Sequence, residues 1–165
     1  MGDVEFTTAR LAAMWSELFT SIGETASRAY ATIPRTLNST DLPAAIIFPG
    51  RLISRELVGS PRHVKETRNY DMALFIAMAA LGDDSSSQIA VAPWFDRVAD
   101  WFIARPGLEL DGDSPQEQVT FDATLLNDNG YELLKYPTGG DKTGDFAAIT
   151  QPIQVVTVYF VVMKG

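Results

Sequence analysis

The most constraining stretch of this chain is a pair of extended-looking segments, 52–58 and 63–81, separated by Gly59-Ser60-Pro61-Arg62. Glycine and proline between two alternating runs are the signal of a β-hairpin. In the second segment Tyr70, Met72, Leu74, Ile76 and Met78 fall on one face, and Asp71, Ala73, Phe75, Ala77 and Ala79 on the other. Fully extended, that arm measures about 60 Å, several times an ordinary strand of about 5–6 residues. Only its second half is apolar. Its first half, with His63, Lys65, Glu66 and Arg68, has nothing to offer a core. The expectation is a hairpin arm over about 51–70 whose base lies in a sheet and whose tip stands clear of its own domain.

The rest of the chain supplies the partners for that sheet. Leu11, Trp15, Leu18 and Ile22 form one helical stripe, with Thr7 or Thr8 as cap and Gly23 as stop. Residues 25–33 alternate as a strand that leads to Pro34. The apolar run 44–48 reads as a strand buried on both faces, started by Pro43 and closed by Pro49-Gly50. Asp83-Asp84-Ser85-Ser86-Ser87 forms an N-cap cluster for a helix that reaches about Ala104 and is closed by Pro106-Gly107. Its apolar face is Ile89, Ala92, Val98, Trp101 and Phe102 with Trp94 or Phe95, and Pro93 predicts a kink or a restart. Segment 118–126 alternates as a strand, Asn127-Asp128-Asn129-Gly130 is a turn, and 131–136 is a short return strand. A loop over 138–145 precedes a last strand, 153–163, expected near the sheet centre. These elements define one α+β domain over residues 1–165, with two main helices on one face of a mostly antiparallel sheet and a long projecting β-hairpin.

Composition removes several chemistries. There is no cysteine and only one histidine, His63, which excludes disulfides, thiolate chemistry and multi-histidine metal sites. His63 sits beside a hairpin turn between Arg62 and Lys65, a poor place to hold a catalytic base to tolerance. The carboxylate pairs Asp83/Asp84 and Asp111/Asp113 lie in turn or capping segments, and Asp96/Asp100 reads as a solvated helix face. The glycine-rich loop lacks the spacing of a phosphate-binding loop. No catalytic, metal or cofactor-binding residue is assigned. The opening MGDVEFTTAR has acids where a secretory leader would be basic, and the apolar runs 72–81 and 155–163 are too short to span a bilayer as helices. The expectation is a soluble chain with no membrane partner.

The formal net charge of −8 argues against broad nucleic-acid binding. It is unevenly spread: residues 83–145 hold 13 acids against 4 bases, while the remainder has 8 against 9. Five bases, Arg51, Arg55, Arg62, Lys65 and Arg68, gather around the hairpin. Two readings stay open. The charges protect a solvated edge from wrong pairing, or they meet the acidic region of a neighbouring copy, with Asp83, Asp84, Asp96 and Asp100 among its acids. A heterologous contact of that second kind closes into a ring where the rotation permits.

The order of elements resembles that of the tail terminator and tail-completion proteins of long-tailed bacteriophages. The resemblance is carried by the helix over 11–22, by Asp41-Leu42-Pro43-Ala44, and by the hairpin running into Arg68-Asn69-Tyr70-Asp71-Met72-Ala73-Leu74. Arg105-Pro106-Gly107-Leu108 after the second helix and the glycine-rich loop before the final strand complete it. It implies a structural subunit, not an enzyme, without cofactor, that assembles with its own copies into a six-fold ring. Such a ring caps the tail tube, ends its polymerisation and joins it to the head-side connector. The implied partners are the tail tube protein and a neck protein, with DNA passing through without sequence-specific binding. The implied location is the virion, after assembly in the host cytoplasm. The alternatives are another neck or tail-completion adaptor or, in a different class, a small-ligand-binding α+β domain or enzyme with a pocket between the 94–101 helix segment and the sheet.

Overall fold

The computed structural model describes residues 3–24, 28–59, 63–79, 84–112 and 119–160. Helix α1 spans Asp3–Ser21. Leu11, Trp15 and Leu18 of the expected stripe are buried, joined by Met14 and Phe19, whereas Ile22 is exposed. The helix begins one turn before the expected caps. Thr7 and Thr8 therefore lie inside it, and the Thr8 hydroxyl donates back to the Val4 carbonyl at 2.9 Å. The stop is as read: Gly23 adopts φ +84°, and the Glu24 N–H reaches the Phe19 carbonyl at 2.7 Å.

Helix α2, Asp84–Ile103, runs through Pro93 without a restart. Its buried positions are Val91, Trp94, Val98 and Phe102. Ile89, placed on the apolar face by sequence, is 74% exposed, because two residues rotate a side chain about 200° from Val91. Ala92 is exposed as well.

Most of the sheet is made of two long hairpins laid side by side. Strands β2 (Ala44–Val58) and β3 (His63–Met78) form the first. Pro49-Gly50 does not close β2. The strand continues through two register shifts, between Pro49 and Leu52 and between Leu52 and Ser54, each absorbing one extra residue. Gly50 is needed there, since a Cβ would stand 2.8 Å from the Asn69 carbonyl oxygen.

Strands β4 (Val119–Leu125), β5 (Tyr131–Pro137) and β6 (Thr143–Phe160) form the second hairpin. Here the return-strand reading fails. Both β4 and β5 pair antiparallel with β6, one with 153–159 and the other with 143–149, so they run the same way along one edge. Residues 126–130 are a jog opposite Gln151-Pro152, not a reversal. The Leu126 and Asn129 N–H groups donate to the Pro152 and Thr150 carbonyls at 3.1 Å each. The physical reason is the length of β6: with 18 residues it offers one edge for both strands. β6 starts ten residues before the expected 153, and it is central as expected, with β3 on one side and β4 and β5 on the other.

The expected strand over 25–33 shrinks to β1, Ala29–Tyr30, parallel to Ala45 and Ile46 of β2. Arg28 turns the following chain by donating to the Leu42 carbonyl. The loop that results buries Leu37 completely, and the Leu37 N–H donates to the Pro137 carbonyl at 2.9 Å.

Alternation along the strands sorts the core into two clusters. Ala45, Ile47, Tyr70, Met72, Leu74 and Ile149 join the apolar side chains of α1 and α2. Their neighbours Ala44, Ile46, Ala73, Phe75 and Ala148 join Leu37, Tyr136 and Phe146. This is the two-faced pattern read in the second hairpin arm.

The first half of β3 is not the freestanding arm expected. β6 runs beside it to the end, with Phe160 opposite His63, and β4 lies beyond β6. Val64, Glu66 and Thr67 are buried. A long third strand thus shelters residues that look like solvent-facing tip when taken in isolation.

Candidate functional site

The outer half of the first hairpin, 51–58 with 63–68, carries the basic residues singled out above. Its chemistry centres on a residue that charge reading passed over, Glu66, which is only 1% exposed. Arg55 lies directly across on β2 and donates to Glu66 Oε2 through Nη2 at 2.7 Å and Nε at 2.8 Å. Arg68, two residues along β3 and so on the same face, donates from Nε to Oε1 at 3.0 Å. Its Nη1 also reaches the Gly50 carbonyl at 3.1 Å. Burial pushes the Glu66 carboxyl up, but the hydrogen bonds and charges of the two guanidinium groups outweigh it and hold the group below the ordinary carboxylate range.

This changes what the basic set can do. Both carboxylate oxygens of Glu66 are engaged by arginines of the same subunit, so Arg55 and Arg68 are not spare cations waiting for a neighbour's acids. Arg51 and Lys65 are exposed on β2 and β3, and Lys65 faces Glu56 across the pair. Arg62 and Asp83 lie outside the described residues, and Asp84 is described only as the first residue of α2. Asp96 and Asp100 are exposed on α2. The structure brings together Arg55 and Arg68 but does not join them to Asp96 or Asp100. The signal for Glu66 is thin in sequence: an acid two residues from Arg68 shares its face, while the partnership with Arg55 depends on a register set by two bulges.

The two edges of this half of the sheet differ. On the β4 side the chain's own segment after α2 approaches: the Ala123 N–H donates to the Pro106 carbonyl at 2.7 Å. Arg10 of α1 holds the Leu108 carbonyl at 2.7 Å and stands 5.7 Å from the Phe121 ring, which stacks on Phe6. On the β2 side, β1 pairs only with Ala45 and Ile46. Beyond them, among the described residues, no strand adjoins the outer edge of β2. That edge displays Leu52, Ile53 and Leu57, the last 61% exposed.

Among the described residues no group of three or more His, Asp or Glu side chains could hold a metal ion. No described helix is long and apolar enough to cross a membrane. Neither a protein-family model nor a curated protein matches this chain.

Proposed function

We propose that this chain is a structural subunit that assembles with its own copies, through the outer edge of β2, into a ring of a phage tail or neck. In that reading the two helices lie against one face of the sheet, and the hairpin end of the sheet meets the neighbouring copy. The observation that carries it is the outer half of β2: a strand edge that no other described strand adjoins, bearing exposed Leu52, Ile53 and Leu57. Soluble monomers normally blunt such an edge, because its unpaired backbone groups accept another strand. Pairing of this edge with a different surface of the next copy is heterologous, which generates a ring when the rotation closes. The resemblance of the element order to that of tail terminators supports the place proposed for the ring: six copies on the end of the tail tube, facing the head-side connector, around a channel through which DNA passes.

The carrying contact in this proposal is backbone pairing with apolar side chains, supported at the margin by Arg51. The purified chain is expected to form closed rings in negative-stain images and in mass photometry. Ile53→Lys with Leu57→Lys is expected to leave monomers with an unchanged thermal transition. A wild-type chain that stays monomeric, or a double variant that still forms rings, overturns the proposal.

A further inference from the structure

We infer that Glu66, with Arg55 and Arg68, is a latch that sets the register of the outer half of β2 across its bulges. Its effect on assembly rests on the reading of β2 as the contact edge; its effect on the strand does not.

Arg55 lies on β2 beyond both register shifts, and the Gly50 carbonyl lies within the first. Glu66 and Arg68 lie on β3. The contacts Arg55–Glu66–Arg68–Gly50 therefore leave β2 past the irregular stretch, cross to β3 and return inside its first shift. The latch spans the part of the pairing that the backbone ladder specifies least, since each bulge leaves a residue unpaired.

Little else holds this stretch. Residues 51–57 are all exposed, Leu52 least at 36%, so apolar burial favours one register over the next far less than it does in 44–47. A slip of one residue would turn Arg55 to the opposite face, where Glu56 now faces Lys65. Glu66 would then keep only Arg68 and have a buried carboxylate oxygen with no partner, which costs more than an ordinary hydrogen bond gains. The register is thus selected by the penalty of stranding a buried charge.

The surroundings of Glu66 on its own face add no competing acid among the described residues. Thr157 of β6 lies opposite it, and Phe121 of β4 lies opposite Thr157. Farther along that row Arg10 of α1 stands over the Phe121 ring. Lys65 and Glu56 belong to the other face.

Hydrogen exchange on the full-length chain tests the latch. In Glu66→Gln, amides of 50–58 are expected to exchange roughly tenfold faster or more, the scale of a lost charge-assisted bond, while 44–47 keep wild-type rates. Arg68→Gln should loosen 50–52 more than 56–58, because only Arg68 reaches Gly50. Arg55→Gln should do the reverse. Unchanged exchange over 50–58, or a uniform rise that includes α1, overturns the latch. If Glu66→Gln shows no thermal transition, the opposite patterns of the two arginine variants decide, and identical patterns overturn it. Mass photometry on the same samples separates the two inferences. A wild type without rings overturns the assembly reading while the exchange pattern still stands or falls by itself.

Discussion

The inner and outer halves of the same two strands are held by different physics. In the inner half, 44–47 of β2 faces 72–75 of β3, and side chains on both faces are buried. Cohesion there is apolar burial, which is non-directional and proportional to area. In the outer half β2 is exposed over 51–57, and its tie to β3 is a ladder with two irregularities plus one buried carboxylate between two arginines. That cohesion is directional, and it depends on charge state. The inner half resists any change of register because every apolar side chain would swap faces. The outer half buries little apolar surface on β2, which leaves its register to the ladder and the ion pairs.

Three perturbations sharpen this contrast. The largest effect is expected in the inner half. Phe75 sits between the rings of Tyr136 and Phe146, at centroid distances of 5.5 and 5.7 Å, and Phe75→Ala should cost about 3–5 kcal/mol in urea denaturation. A loss below about 1 kcal/mol would mean that this cluster does not carry the inner half.

Acid should weaken the outer half through Glu66. Glu66 titrates below its ordinary value of 4.5 in the folded chain. Its contribution is therefore complete above that ordinary value and is lost as pH falls through the lower folded value. Between pH 5 and pH 3 the wild type should lose more thermal stability than Glu66→Gln does. Parallel pH profiles for the two chains would count against the latch.

The smallest effect belongs to Arg55, whose side chain is 54% exposed. Arg55→Gln takes the arginine from a buried oxygen of Glu66 and should cost about 1–3 kcal/mol, a difference that shrinks in high salt because the guanidinium itself is exposed. A cost as large as that of Phe75→Ala would erase the distinction between the halves.

The fold was legible where it depends on local periodicity. Most of the α1 stripe and the two faces of β3 follow from helical spacing or alternation within one segment, and the central position of β6 from its density of Val and aromatic residues. Legibility failed where a second segment decides. Residues 127–130 have every mark of a hairpin turn, yet β4 and β5 share one edge because β6 is long enough to pair with both. Pro49-Gly50 has every mark of a strand end, yet two bulges carry β2 past it. The candidate site shows the same division. The cluster of bases was visible, but its buried carboxylate was not, because Glu66 is sheltered by β6 and fixed by a register that no local pattern contains.

The sequence by itself determined an α+β chain, its two helices, the long hairpin and the faces on which apolar side chains alternate. Only the tertiary structure decided that the hairpin's polar half lies within the sheet, that Arg55 and Arg68 are bound by Glu66, and that among the described residues no strand adjoins the outer edge of β2. The physical reason is that periodicity is written within one segment, whereas burial of a charge and pairing of an edge depend on which distant segment comes to lie beside it.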